Sequence, residues 1–129
     1  MSRPAVWTQE QLAAVADEAT VWTLPLLKRQ VLEVLRGEYV EFPAQPRPGT
    51  AVVVAVGGGV LLDEAKVWRV QRSPDTTLVA IPSVWGSGAE NSPVAVLNRD
   101  GQKEIHTGDT FLPDARLVWP ELTQAAALS

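Results

Sequence analysis

Residues Thr50–Lys66 have the sequence TAVVVAVGGGVLLDEAK, in which an apolar, β-branched run precedes three glycines and an amphipathic segment. The run Ala51–Val56 predicts a buried strand, and the spacing of apolar residues from Leu61 to Val70 predicts a helix. Gly57–Gly59 would let the backbone turn tightly and approach a ligand closely. Because the amides at a helix N-terminus attract anions, this unit predicts a phosphate cradle, with a purely structural turn as the alternative.

Strand and helix signals alternate along the rest of the chain. Thr8 and Gln11 have the spacing of a capping box, Pro25 suits the first turn of a helix that Gly37 would end, and Asp100-Gly101 is typical of a hairpin turn. The predicted helices cover 9–18, 26–36, 120–128 and a segment from 61 to near Ser73-Pro74. The predicted strands cover 20–24, 39–42, 50–56, 77–81, 94–97, 104–106 and 115–119. This order predicts a three-layer, Rossmann-like α/β domain with a mainly parallel sheet and one β-hairpin.

The composition excludes several classes of partner and site. The 129 residues carry a net charge of −4, which argues against nucleic acid or an anionic membrane as the main partner. No apolar stretch reaches the roughly 18–20 residues that span a bilayer. The absence of cysteine excludes disulfides and thiolate metal sites. We therefore expect one cytoplasmic domain over residues 1–129, with the proline-rich segment 43–49 as a link between a shortened first half and a motif-bearing second half.

Four segments resemble the signatures of iron-containing (group III) alcohol dehydrogenases and their glycerol dehydrogenase relatives. Gly57–Lys66 is similar to G-G-G-S-x-x-D-x-A-K, and Ile81–Pro93 is similar to I-P-T-T-x-G-T-G-S-E-x-T-P. Leu112–Ala115 resembles the L-x-P-D segment, and Leu117–Leu122 resembles I-V-D-P-E-L. The order and spacing of the segments agree over about Thr50–Leu122, which is more specific than a glycine motif alone.

The resemblance implies a nucleotide-binding domain, with NAD(P) as its cofactor. The contacts that it implies are Gly57, Gly58, Gly59, Asp63, Lys66, Ser83, Gly86 and Ser87. Structural alternatives exist for these residues: Asp63 and Lys66 are three apart and could form a helix ion pair, and the serines could stabilise their own loop.

In this family, a following helical domain supplies one aspartate and three histidines to an iron or zinc ion, which polarises the alcohol for hydride transfer. The sequence stops at Ser129, so we expect this helical metal-binding domain, its ligands and any catalytic residue to be absent. His106 is the single histidine, and we expect it to be structural. Neither iron nor zinc is therefore expected.

Several positions depart from the family pattern. Val60 replaces the motif serine, Trp85 stands where a small residue lets the cofactor lie close, and Trp119 replaces the aspartate of I-V-D-P. The early strand, Thr20–Pro25, lacks the acidic residue expected near an adenosine ribose. Because tryptophan is a preferred anchor of protein interfaces, Trp85 and Trp119 are candidate interface residues; the alternative is that both fill the emptied cofactor cleft.

Together these features predict a non-catalytic relative that acts as an accessory, partner-binding protein. The expected partner is a full-length dehydrogenase, a second copy of this chain, or a peptide substrate in a ribosomal-peptide or other natural-product tailoring pathway. The alternative is a NAD-binding subunit that completes an oxidoreductase with a metal-bearing partner chain. A third hypothesis is a solitary NAD-responsive sensor.

Overall fold

The computed structural model describes residues 4–83 and 88–122 of the chain. Its strands are β1 (Ala5–Val6), β2 (Thr20–Thr23), β3 (Tyr39–Glu41), β4 (Val52–Gly57), β5 (Thr77–Pro82), β6 (Val94–Arg99), β7 (Gln102–Thr107) and β8 (Ala115–Arg116). Its helices are α1 (Gln9–Ala14), α2 (Pro25–Leu32) and α3 (Gly59–Arg72). Six of these strands form a sheet in the order β1-β8-β5-β4-β2-β3, and every pair in it is parallel.

Helices cover both faces of the sheet. On one face, Leu12 of α1 and Leu27 of α2 are buried in one apolar cluster with the side chains of β4 that point to that side. On the other face, Leu62 and Trp68 of α3 are buried against Trp22 of β2. The near-continuous apolar sequence of β4 follows from this arrangement, since a parallel strand covered on both sides has no solvated face. The predicted three-layer, Rossmann-like α/β domain with a parallel sheet is confirmed.

The predicted hairpin is also confirmed, as a separate two-stranded antiparallel unit of β6 and β7. Asp100 and Gly101 join the strands with φ values of 53° and 81°, the positive pair that a two-residue hairpin turn needs. Ala95 and Leu97 of β6 are buried with Val67 of α3. The hairpin therefore packs on the outer side of α3, away from the main sheet.

The second helix differs from its prediction. It ends at Leu32, short of residue 36, so Gly37 does not cap it. The helix ends early because the chain turns back toward the sheet. The Arg36 amide donates to the Ala16 carbonyl at 2.9 Å, and this bond holds Gly37 close to the segment that contains Ala19. A Cβ at Gly37 would lie 1.9 Å from the carbonyl oxygen of Ala19. This glycine is required for a close approach of two loops.

Other bounds differ because tertiary contacts decide where elements begin and end. The first helix stops at Ala14 before the predicted residue 18, whereas α3 begins two residues earlier than predicted and ends at Arg72, close to the end predicted near Ser73-Pro74. Strand β8 ends at Arg116 instead of 119, and the short edge strand β1 has no counterpart among the predicted strands. Residues 120–122 are helical, and the remainder of the predicted terminal helix lies outside the described residues.

Candidate functional site

A crevice opens at the carboxyl edge of the parallel sheet, between the ends of β2 and β4. The chain leaves β2 through α2 toward β3 on one side, and it leaves β4 through α3 toward β5 on the other. Because the two connections diverge, a gap forms between them, and such topological switch points are where open α/β sheets bind ligands. The crevice has a volume of about 370 Å³, at the lower end of the range for small-molecule pockets.

The side walls of this crevice are apolar. They consist of Leu24, Leu26, Leu27, Phe42, Val60 and Leu61. Leu26 and Val60 are 65% and 72% exposed, so the apolar surface continues from the crevice onto the outside of the domain. Among the described residues that line the crevice, none carries a charge. The walls therefore favour an apolar group over an ionic one.

The floor of the crevice includes the N-terminus of α3, which has no side-chain cap. Gly58 is the N-cap residue, with φ −82° and ψ −170°, and the first turn contains no acidic residue. The first bonded amide of the helix is that of Leu62, which donates to the Gly58 carbonyl at 3.1 Å. The preceding amides of Gly59, Val60 and Leu61 have no acceptor within the helix. They leave a cluster of N–H donors, with the positive end of the helix dipole, at an apolar crevice.

Ser83 is the polar side chain of this crevice. It follows β5, its amide donates to the Gly57 carbonyl at 2.9 Å, and only 3% of its surface is exposed. Ser83 and the bare helix amides are therefore two independent polar features of one crevice.

Gly57 has a different role from its two neighbours. A Cβ at this position would lie 3.0 Å from Cβ and 3.2 Å from Cδ1 of Leu61. The residue therefore lets α3 pack closely on the end of β4, as a structural turn requires. Gly58 and Gly59, in contrast, lie in the crevice itself.

Asp63 and Lys66, the charged residues of the glycine motif, bind the protein's own backbone. Lys66 is fully buried, and its Nζ donates to the carbonyls of Ala89, Ser92 and Val94 at 3.1, 3.1 and 2.6 Å. Asp63 forms the anticipated ion pair with Lys66 at 3.1 Å and accepts the amide of Val96 at 3.0 Å. Burial lowers the pKa of the Lys66 ammonium from its usual 10.5, and the nearby Asp63 carboxylate opposes that change. The pair thus fastens the hairpin and the preceding loop to α3.

The structure brings only some of the predicted site residues together. Gly58, Gly59 and Ser83 meet at the crevice, whereas Asp63 and Lys66 meet at the hairpin. Gly86, Ser87 and Trp85 lie outside the described residues, so their predicted roles stay predictions. Trp119 is half-buried against the apolar cluster beneath α1 and α2, beside a hollow of about 240 Å³ that Val34 also lines. Its predicted interface role stays a prediction as well.

A larger hollow of about 510 Å³ lies near the other end of α3, around Arg69 and Asp114. Arg69 bonds Asp114 Oδ2 at 2.7 Å and the carbonyls of Thr110 and Leu112 at 3.0 and 2.6 Å. Asp114 also accepts the Leu78 amide at 2.8 Å. Arg69 and Asp114 are therefore both occupied in holding the entry to β8, and they have a structural role in this hollow.

Comparison with known proteins identifies the family to which the chain belongs. A family model for iron-containing alcohol dehydrogenases matches residues 44–120. The chain belongs to this family. A comparison with curated protein sequences found no match.

Several solved structures share the fold of this chain. Maleylacetate reductase from Agrobacterium tumefaciens is similar with a TM-score of 0.70 and 24% identity, over 95% of this chain and 43% of that one. An iron-containing alcohol dehydrogenase from Corynebacterium glutamicum gives 0.75 and 17%, over 95% and 41%. Sulfoacetaldehyde reductase from Bifidobacterium kashiwanohense, solved in complex with NAD+, gives 0.67 and 18%, over 95% and 46%. The chain thus spans less than half the length of these relatives.

The residues present fit the family's cofactors only in part. The bare α3 amides and Ser83 suit a phosphate group, but β2 leads into Leu24-Pro25, which offers no carboxylate for ribose hydroxyls. Within 4–83 and 88–122, no group of three or more histidine, aspartate or glutamate side chains could hold a metal ion. In the same part of the chain, no helix is long and apolar enough to cross a membrane.

Sequence reasoning missed the crevice walls. The sequence patterns place Leu26 and Phe42 only within a helix and a strand, although both line the site. A signal was present in the apolar run Leu24-Pro25-Leu26-Leu27, which directly follows a parallel strand, where open α/β sheets bind ligands.

Proposed function

We propose that this chain is a non-catalytic, partner-binding member of the iron-containing alcohol dehydrogenase family. Its partner would be a full-length dehydrogenase or the peptide substrate of one, in a natural-product pathway that tailors ribosomal peptides, and its location would be the cytoplasm. The observation that carries the proposal is the apolar wall of the crevice at the switch point of the sheet, whose described lining residues include no charged side chain.

The wall argues against a dinucleotide as the natural occupant. Ribose hydroxyls need polar acceptors, and burying them against Leu24 and Phe42 would leave them without hydrogen bonds. The motif residues Asp63 and Lys66 bond the hairpin and its loop, so in this arrangement their charged groups are occupied.

The exposed part of the wall supports a protein partner. Leu26 and Val60 lie on the rim and leave most of their side-chain surface in water. An exposed apolar rim around an apolar crevice is typical of a binding surface, because contact with a partner removes that surface from water. Burying a leucine-sized side chain is worth about 2 kcal/mol, so two rim residues make a measurable contribution to affinity.

A second candidate function is a NAD-binding subunit that completes an oxidoreductase with a metal-bearing partner chain. The uncapped N-terminus of α3 favours it, since such a terminus is suited to a phosphate group. A structural relative with the same fold was solved with NAD+.

Calorimetric titration with NAD+ and NADH separates the two candidates. The accessory function predicts no heat of binding up to millimolar nucleotide. Micromolar binding would instead support the second candidate and contradict the first.

Size-exclusion chromatography with a full-length iron-containing dehydrogenase of the same organism, or with its peptide substrate, tests partner binding. We expect co-elution of the wild-type chain and loss of co-elution with Leu26→Asp. Ile105→Asp is the matched control, because Ile105 is 64% exposed on the hairpin and lies away from the crevice. Failure of the wild type to co-elute with either partner would refute the proposal.

A further inference from the structure

We infer that two copies of this chain associate edge to edge through β7, so that their hairpins form one four-stranded antiparallel sheet. The described lining of the crevice includes no residue of β7, so this interface is separate from the proposed partner site and goes beyond the proposed function. Three observations carry it: an open strand edge, an exposed apolar face, and an order of charged residues along β7 that is complementary to itself.

The edge of the hairpin formed by β6 is covered by the protein's own side chains. The Val96 amide donates to Asp63 Oδ2 at 3.0 Å, and the Val94 amide donates to Ser92 Oγ at 3.1 Å. The Val94 carbonyl accepts a hydrogen bond from Lys66 Nζ at 2.6 Å. These bonds occupy the backbone groups of β6 that point away from β7, so this edge cannot pair with another strand.

The edge formed by β7 is open. The Gly108 amide donates to the Pro93 carbonyl at 3.0 Å, and this bond fixes which residues of β7 face β6, because inward and outward backbone groups alternate along an antiparallel strand. Lys103, Ile105 and Thr107 therefore direct their N–H and C=O groups away from β6. The other described residues form no backbone hydrogen bond with these outward groups. Such an edge is a template for pairing with another chain.

The face of the hairpin that points away from α3 is apolar. It presents Val94, Val96 and Ile105, which are 37, 41 and 64% exposed, and Val96 lies directly opposite Ile105 in the register of the hairpin. Pairing of two β7 strands would bring the two Ile105 side chains together and continue the row across four strands. Cross-strand contacts between β-branched side chains stabilise a sheet and remove apolar surface from water.

The charges along β7 favour a second copy of the same strand as the occupant. When Ile105 lies opposite Ile105 of the second copy, all three outward residues are paired, and Glu104 lies opposite His106 of the second copy on both sides of the two-fold axis. Glu104 and His106 already bond each other within one chain at 2.5 Å, so both groups lie on one face of the strand.

Other antiparallel registers of the two β7 strands are less favourable. A shift of two residues in one direction places Glu104 opposite Glu104 of the second copy, and like charges directly opposite each other destabilise a sheet. The same shift in the other direction places His106 opposite His106. Each shift also leaves one outward residue of β7 without a partner in the other β7 strand. The strand is therefore complementary to itself in the register centred on Ile105.

Sedimentation equilibrium of the full chain measures the association. We expect the wild type to reach twice the mass of one chain as its concentration rises. Ile105→Asp should remain a monomer at the same concentrations, because it places two carboxylates opposite each other at the two-fold axis. Leu26→Asp is the matched control, since Leu26 is 65% exposed but lies at the crevice, and it should associate like the wild type.

Disulfide trapping tests the register. The sequence contains no cysteine, so Ile105→Cys introduces a single thiol. In the register centred on Ile105, the two copies of this residue form a hydrogen-bonded pair with Cα atoms about 5.5 Å apart, within the range that a disulfide spans. Mild oxidation should therefore produce a covalent dimer of Ile105→Cys, whereas Leu26→Cys, which is equally exposed, should stay monomeric.

Three outcomes would overturn the inference: a wild-type chain that is monomeric up to millimolar protein, a dimer that Ile105→Asp leaves intact, or equal cross-linking of Ile105→Cys and Leu26→Cys. Co-elution with the dehydrogenase depends on the crevice and not on β7, so Ile105→Asp should leave it unchanged. The self-association through β7 and the proposed partner binding can therefore fail independently of each other.

Discussion

Helices α1 and α3 begin in opposite ways. At α1, Thr8 Oγ1 accepts the Gln11 amide at 3.2 Å, Gln11 Oε1 accepts the Thr8 amide at 2.8 Å, and Glu10 lies in the first turn. At α3, Gly58 offers no side chain and no acid follows in the first turn. The short helix, of six residues, has a complete cap, and the long one, of 14, has none.

The difference shows where each helix obtains its stability. A helix of six residues is unstable in isolation, so its end groups matter. The longer α3 is held by buried side chains along its length and by the bonds of Lys66 to the loop and hairpin. Its first turn can therefore remain unsatisfied in the free protein and be available to a ligand. Substitutions at the two helices test this comparison, from the largest expected effect to the smallest.

The largest effect is expected at Lys66. Lys66→Met keeps the length of the side chain but leaves Asp63 and the carbonyls of Ala89, Ser92 and Val94 without their partner. We expect the free energy of unfolding to fall by about 3 kcal/mol, as when one member of a buried ion pair is removed. Urea unfolding followed by tryptophan fluorescence measures this.

Lys103→Met serves as the control for that substitution, because Lys103 is an exposed lysine of the hairpin. We expect it to change stability by less than about 0.5 kcal/mol. If Lys66→Met and Lys103→Met were equally stable, the bonds of Lys66 would not be what stabilises α3. The contrast drawn between α1 and α3 would then be wrong.

Removal of the α1 cap is expected to have an intermediate effect. Thr8→Ala leaves the Gln11 amide without its acceptor and should lower the free energy of unfolding by about 1 kcal/mol. Hydrogen exchange should show the loss of protection within 9–14. If the free energy of unfolding did not change, the packing of Leu12 alone would be what stabilises α1.

A carboxylate in the first turn of α3 is expected to stabilise the protein slightly. Val60→Asp replaces an exposed side chain and should raise the free energy of unfolding by about 0.5 kcal/mol through the helix dipole. Urea unfolding measures this change. Destabilisation would show that another group already satisfies the first-turn amides.

The smallest effect concerns pH. Because burial lowers the pKa of Lys66 below 10.5 in the folded chain, the unfolded chain holds the extra proton between the lowered pKa and 10.5. In that window, the contribution of this group to stability rises with pH. We expect the wild type to gain stability relative to Lys66→Met toward alkaline pH in urea titrations. A relative loss would mean that the ion pair with Asp63 outweighs desolvation.

The sequence by itself determined the architecture. The β-branched run of β4, the glycine turn and the periodic apolar residues of α3 are local signals, and so are the capping box at Thr8 and the turn at Asp100-Gly101. The order and spacing of the motifs indicated the family. The match of the family model to residues 44–120 confirms it. Such features are visible in sequence because they depend on neighbours along the chain.

Only the tertiary structure decided what the motif residues touch. Asp63 and Lys66 contact residues more than 20 positions away, and the crevice joins Leu24, Phe42 and Ser83 from separate loops. The crevice arises because parallel strands bring distant carboxyl ends to one edge, and the contacts of Asp63 and Lys66 arise because the hairpin packs on α3. Sequence spacing specifies neither. The glycine motif was therefore predictable as a turn, whereas the apolar crevice that it opens into is a property of the fold.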